Sequence, residues 1–452
     1  MPNRRQFLLG SAGTAALSGK AAAASNAISL RTHEWYGDKL EQFEFPAGWH
    51  VALYHSKGYQ APVLTAAEIT QAIQNPIGTR PLREIAAGKT TATIAVDDMC
   101  RPTPTAEVVP LVVAELNAAG IKDRNILFVM AHGCHMLMNP ATVALKIGAD
   151  AVRRHPWVNH NVWENLVDLG KSKAGNQIQV DCNFYNSDVK ITLSGLKRHS
   201  APGYGGGPKL CLPGLSGVKT IRYMHNVVKQ APRPRTGPDG IPIWHIYENE
   251  QRQDMIDVAR AIGVDFSVQQ CYNEDRRLVK VVAGDIVKAH HEACRYAIPS
   301  KSTVFAKNAD VLIVNCYPRG EQLHEMFSWA NAGLKDGGSV VLVNQYPPGE
   351  SVWHFNDQLS FFQLGGGNYF KARANRKSRY ANVGQMLLYS QYLTERELSD
   401  PSMPPETIGC RAWADVVERL KKKHTGSAVE VAVYPAAGTQ HEVATHDIPP
   451  DA

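Results

Sequence analysis

The sequence predicts an α/β protein with two Rossmann-like domains and an active site in the cleft between them. Three observations carry this. Short β-branched apolar runs end in polar clusters, an amphipathic helical pattern separates the first two of them, and a glycine-rich loop with a lysine follows the third. Open α/β sheets bind ligands at the carboxyl ends of their parallel strands, where these clusters fall.

The elements follow in order. Residues 1–25 read as a twin-arginine signal peptide: Arg4-Arg5-Gln6-Phe7-Leu8-Leu9, a weakly apolar stretch, then Ala22-Ala23-Ala24 as a cleavage signal. Thr91–Val96 reads as a buried strand ending at Asp97-Asp98. Thr105–Ala119 has helical spacing through Val108, Val109, Val112, Val113 and Leu116, and Gly120 stops it. Ile126–Met130 is a second strand that runs into Ala131-His132-Gly133-Cys134-His135. A strand, helix, strand order of this kind is a right-handed crossover unit. A strand near Val189–Leu193 leads to the glycine loop, and later strands are expected at Val311–Asn315, Ser339–Asn344 and Val429–Val433. The expected domains are 26–288, with the glycine loop, and 289–425. Residues 426–452 form a last strand and tail, a candidate to return to the first domain. Pro347–Lys377 reads as a long loop.

Composition narrows the function. The 452 residues are 44% hydrophobic and 20% charged, as in a soluble globular protein. Net charge is +6; loss of Arg4, Arg5 and Lys20 with the signal leaves +3, too little to indicate nucleic acid. No later run is long and apolar enough to predict a membrane span. The eight cysteines contain no Cys-x-x-Cys pair, so a zinc ribbon is not expected.

Lys209 closes Pro202-Gly203-Tyr204-Gly205-Gly206-Gly207-Pro208-Lys209. Glycines let a backbone closely approach a bound group, and a lysine there can meet an anion or bond covalently to a carbonyl-type cofactor. Asp98 and Arg101 in Asp98-Met99-Cys100-Arg101-Pro102-Thr103-Pro104 can hold one polar ligand from two sides. His132 and His135, at a strand's end, suit metal ligation or acid/base work.

Together these motifs resemble the nickel-pincer lactate racemase family. Its Asp-x-x-Arg-Pro-x-Pro, Gly-x-His, His before Gly-Gly-x-Lys-x-x-x-Pro-Gly, and a later His occur here in order as Asp98 and Arg101, His135, His199, Lys209 and His225. The resemblance covers roughly residues 40 to 345. It implies a pyridinium bis-thiocarboxylic acid mononucleotide, the nickel-pincer nucleotide, bound covalently to Lys209 and cradled by Gly205, Gly206 and Gly207. It implies nickel with His225 as the protein ligand, and imidazole suits nickel. His135 and His199 are then the acid/base pair for the two antipodes, Arg101 orients the substrate carboxylate, and Asp98 supports the pocket. The glycine loop's amides are candidates to hold the nucleotide's phosphate. The implied reaction inverts the 2-carbon of a 2-hydroxy acid through hydride transfer to the cofactor.

The sequence departs from the family at Pro208 and Met136, usually arginines. It departs also after Tyr317-Pro318-Arg319, where the family's Tyr-Gln-x-x-Lys aligns with His324, Glu325 and Ser328. The family's lysine is gone and an acid stands beside it, which favours a substrate other than lactate. The alternative is a non-catalytic exported protein that binds nickel or a nucleotide. Retention of both His135 and His199 argues against it. Expected partners are a small 2-hydroxy acid and the twin-arginine export machinery, with a periplasmic or otherwise exported location.

Overall fold

A computed structural model describes residues 26–199, 201–228, 246, 249–348, 378, 380–399 and 403–442. The expected signal peptide, most of the Pro347–Lys377 loop and the end of the tail lie outside these residues.

Two six-stranded sheets organise the chain. The first runs, edge to edge, Leu278–Gly284, Phe266–Tyr272, Val189–Gly195, Ala92–Val96, Ile126–Met130, Trp157–Asn159. All its pairings are parallel except that of Leu278–Gly284 with Phe266–Tyr272. The second is wholly parallel: Ile408–Cys410, Val383–Tyr389, Leu334–Val343, Ala309–Asn315, Glu430–Tyr434, His50–Leu53.

Both sheets are covered on both faces, which is why their central strands read as near-continuous apolar runs. Successive side chains point to opposite faces. Ile94 and Val96 accordingly pack into one core and Ala95 into another. In the second sheet Leu312 and Val314 fill one core, and Val311 and Ile313 the other.

The expected strands are all present. The Thr105–Ala119 helix is divided: a 3₁₀ turn at Thr105–Glu107 precedes an α-helix at Val109–Ala118. Pro104 and Pro110 explain the division, since neither has an N–H to give and the residue before a proline is pushed out of helical geometry. Gly120 ends the helix at φ +101°.

Two expectations about chain division need correction. A boundary at 288/289 would cut the first turn of the Ile286–Ser300 helix. That helix buries Ala289, Ala293, Cys294 and Ala297 against Leu196, Tyr204 and Cys271 of the first half. The last strand, Glu430–Tyr434, does not return to the first sheet. It pairs between Ala309–Asn315 and His50–Leu53 in the second, so the N-terminal end of the chain makes the crossing. An apolar run fixes that a strand is buried, and says nothing of which sheet takes it.

All eight cysteines are free thiols. Among the described residues no helix is long and apolar enough to cross a membrane.

Candidate active site

In the first sheet Ala92–Val96 has its successor Ile126–Met130 on one side and Val189–Gly195 on the other. This reversal is the topological switch point, where open sheets hold ligands. The three loops that leave these strands build the site. A small pocket there is lined by Asp98, Arg101, His132, His135, Gly206 and Lys209, among others.

The loops are tied to one another. Asp97 accepts from Thr103 Oγ1 (2.8 Å) and from the Gly195 amide (2.9 Å) and pairs with buried Lys146 at 2.6 Å. Lys146 Nζ also donates to the Arg101 carbonyl at 2.7 Å. The Gly133 amide donates to the Gly214 carbonyl at 3.0 Å, which fixes the histidine loop against the lysine loop.

The glycine loop is held by its carbonyls. Buried Arg252 donates to the carbonyls of Pro202, Tyr204 and Gly206, and His290 Nε2 donates to that of Gly205 at 3.0 Å. Two of its amides are also engaged. Gly205 N–H donates to Lys197 O at 2.7 Å, and Gly207 N–H to Ser194 Oγ (3.1 Å) and Gln269 Oε1 (2.9 Å). The expectation that these amides hold a phosphate is therefore corrected for Gly205 and Gly207. The glycines are needed for shape instead. Gly206 and Gly207 have φ of +77° and +54°, and a Cβ on Gly207 would stand 2.7 Å from His290. The loop's product is the placement of Lys209.

Lys209 is buried in the short 3₁₀ turn Gly207–Leu210. Burial, with Arg101 and Arg252 nearby, holds its ammonium well below a lysine's ordinary pKa. Desolvation of this kind favours the neutral, nucleophilic form of an amine.

Asp98 and His135 form a dyad, with Oδ2 to Nδ1 at 2.5 Å. Asp98 Oδ1 accepts the Cys100 amide at 3.0 Å. Burial would raise the Asp98 carboxyl, but His135 and Arg101 more than offset it and hold it well below the usual carboxylate range. An ionised Asp98 can only accept, so His135 carries its proton on Nδ1 and its lone pair on Nε2. Burial also holds the His135 imidazole below its ordinary pKa, against the pull of Asp98. Asp98 thus orients His135. It does not grip a ligand jointly with Arg101, whose Nη1 donates to the Cys100 carbonyl at 2.9 Å.

His199 has the opposite tautomer. Its Nδ1 accepts the Ala201 amide at 3.3 Å, so the proton sits on Nε2. Burial, then Lys209 and Lys197, push its pKa well down. His225, near the end of the Val218–Asn226 helix, donates Nδ1–H to the Ile221 carbonyl at 2.8 Å. Its lone pair is therefore on Nε2, and burial lowers its pKa to about 4, which keeps it neutral and fit to ligate a metal. Lys209 and His135 are its titratable neighbours, and both work to lower its pKa further.

Of the residues aligned with the family's substrate pocket, Glu325 is half-buried and pairs with Arg319 Nη1 at 2.5 Å and with Lys197 Nζ at 3.8 Å. Its charge is thus matched, which weakens the argument that it would repel a carboxylate. Ser328 is exposed, and its Oγ donates to the Glu325 carbonyl at 2.7 Å. The His324 side chain lies outside the described part.

Four site residues were not singled out from sequence. Arg252 and His290 act through space from distant helices, and no local pattern marks Arg252. Lys197 and Arg319 flank recognised motifs, and both are buried. His132 was noted only in passing. It is buried on the cavity wall, neither ring nitrogen has a hydrogen-bond partner, and burial lowers its pKa to about 4. Asp98, Cys100 and His135 also bring potential metal-ligating atoms within 4.8 Å of one another, a grouping the sequence reading did not propose.

Residues 36–237 match the family model of the lactate racemase N-terminal domain. The lactate racemase of Thermoanaerobacterium thermosaccharolyticum is 27% identical over 325 residues, which is 70% of this chain and 74% of that protein. That of Lactiplantibacillus plantarum is 27% identical over 301 residues, 65% and 68% of the two chains. Among solved structures, the lactate racemase apoprotein from T. thermosaccharolyticum matches with a TM-score of 0.66 at 19% identity, covering 92% of this chain and 100% of that one. A structural-genomics protein from Thermotoga maritima matches with a TM-score of 0.59 at 14% identity, covering 86% and 99%. The fold is therefore that of the lactate racemase apoprotein, and the sequence matches support a lactate racemase-like isomerase, a racemase or epimerase.

Proposed function

We propose that this protein is an exported racemase or epimerase that inverts the 2-carbon of a 2-hydroxy acid other than lactate, using a nickel-pincer nucleotide tethered to Lys209. The observation that carries the reading is the pair of imidazoles near one buried lysine, in opposite tautomers. His135 offers a lone pair at Nε2 and His199 offers a proton there.

The residues present fit the cofactor. Lys209 supplies a buried amine, its pKa lowered, for covalent attachment, and Nε2 of His225 supplies a lone pair for nickel. When bound, the group supplies a reversible hydride acceptor. The chain's own residues do the rest. For one antipode His135 takes the hydroxyl proton, with Asp98 stabilising the imidazolium that forms. His199 serves the other antipode. Arg101, buried beside both, orients the carboxylate. The residues beside Ser328 and Glu325 read the rest of the substrate. Glu325 can accept hydrogen bonds from further hydroxyls, which favours a sugar acid over lactate.

Export is proposed on the twin-arginine pattern at Arg4-Arg5. That route carries folded, cofactor-loaded proteins, in keeping with a tethered group and buried free thiols.

The test is intact-mass and metal analysis of protein taken from its own compartment, with configuration at the 2-carbon assayed on lactate, malate, phenyllactate and gluconate. An adduct on the Lys209 peptide, bound nickel and inversion of a larger acid are expected. No adduct and no inversion of any acid would overturn the reading and favour a non-catalytic binder.

A further inference from the structure

The family's substrate-side lysine aligns with Ser328 here, which removes one cation from that side. The structure places a buried cation on the opposite side. Lys197 follows the Val189–Gly195 strand, two residues before His199, and is 1% exposed. Its carbonyl takes the Gly205 amide, and its Cγ would lie 3.5 Å from a Cβ on Gly205, so its stem packs on the loop that carries Lys209.

Its ammonium has no hydrogen-bond partner among the described residues. Its ion pair with Glu325 Oε2 is long, at 3.8 Å, because that oxygen is held by Arg319 at 2.5 Å. Three N–H donors are thus buried without acceptors, a costly arrangement for a structural lysine. Arg101 and Arg319 act on it electrostatically, and Lys197, Arg101 and Lys209 all act on His199.

We propose that Lys197 is a specificity-determining residue, the second cation with Arg101 of a clamp for the carboxylate of a 2-hydroxy acid. The inference rests on the racemase or epimerase reading above. A carboxylate in the clamp fills the donors of Lys197 and sets the 2-hydroxyl beside His199. Glu325, kept by Arg319, is left to face the remainder of the acid. The cation lost at Ser328 is in effect supplied from the other half of the molecule.

The test is calorimetric titration of the holoenzyme with gluconate, malate and lactate, and with gluconamide as the neutral control. Wild type, Lys197→Met and Lys197→Arg are compared, with nickel content and melting temperature measured for each. Methionine keeps the volume and removes the charge. The expected result is that Lys197→Met weakens carboxylate binding about tenfold or more, the scale of one lost charged hydrogen bond. Gluconamide binding and nickel content stay unchanged, the melting temperature does not fall, and Lys197→Arg restores most of the affinity. Equal carboxylate affinity in wild type and Lys197→Met overturns the assignment of Lys197 alone. So does equal weakening of acid and amide, which marks a structural role. Failure of every acid to bind the wild type overturns the functional reading itself.

Discussion

The two switch points of this molecule differ in what they keep. The first sheet's mouth carries Asp98, Arg101, His135, His199 and Lys209, each at a position where the motifs place it, and falls within the matched residues 36–237. The mouth of the second, after Ala309–Asn315, carries Arg319, Glu321 and Glu325 as a buried charge network, where the resembling enzymes carry glutamine and lysine. In the proposed function the first mouth holds the reactive group and moves protons, and the second reads the substrate. The difference teaches that the residues matching the family's motifs gather on one sheet, while the departure at Glu325 and Ser328 lies on the other.

That division can be broken from either side. The largest effect is expected from Lys209→Ala: activity falls to background and the adduct and nickel are lost, while the melting temperature holds. The lysine closes a loop already fixed by Arg252 and His290, so the fold does not depend on it. Mass spectrometry and metal analysis check this; a normal adduct would sever the first mouth from cofactor chemistry.

Next come the imidazoles. His135→Ala and His199→Ala should each lower racemisation by ~10²–10⁴-fold, the usual contribution of a general acid or base. Nickel should remain in both. His225→Ala should instead lose nickel, which tests whether ligation and proton transfer belong to different histidines.

Asp98→Asn should cost less, about 10–100-fold in kcat, since it removes one charged hydrogen bond but leaves the imidazole. Its pH–rate profile should shift, because the asparagine no longer favours the His135 imidazolium. An unchanged profile would show that the 2.5 Å contact does not orient the base.

Glu325→Gln on the second mouth should alter the ranking of acids several-fold with little change in nickel content. Equal changes for lactate and gluconate would blur the contrast between the two mouths.

The smallest effect concerns stability. His132 and His225 have folded pKa values lowered to about 4 by burial. The unfolded chain then binds more protons below about pH 6.5, so stability is full above that value and is lost as pH falls toward 4. Each histidine adds a slope of at most ~1.4 kcal/mol per pH unit across that window. Urea unfolding at pH 7.5 and pH 5 checks it, and His132→Phe should reduce the difference.

Sequence and structure agree unevenly, and for a reason. Strand cores such as Ile94–Val96 and Val311–Val314 were legible because burial on both faces writes a continuous apolar run. The glycine loop was legible because positive φ at Gly206 and Gly207 demands glycine. Its purpose was misread: the amides of Gly205 and Gly207 face Lys197, Ser194 and Gln269 rather than a ligand. Glu325 was read as an uncompensated charge because its partners, Arg319 and Lys197, are paired to it only by folding.

By itself the sequence determined the fold class and the order of the strands' polar ends, and its resemblance to a known family named candidates for acid/base and covalent chemistry. The first two are local properties, set by periodicity, residue type and short spacing. Only the tertiary structure decided which sheet takes the last strand, which nitrogen of each histidine bears its proton, and which buried cation faces which anion. Those depend on atoms brought together across up to hundreds of residues. The energy of a buried charge is set by its neighbours and the absence of water, neither of which the order of residues alone specifies.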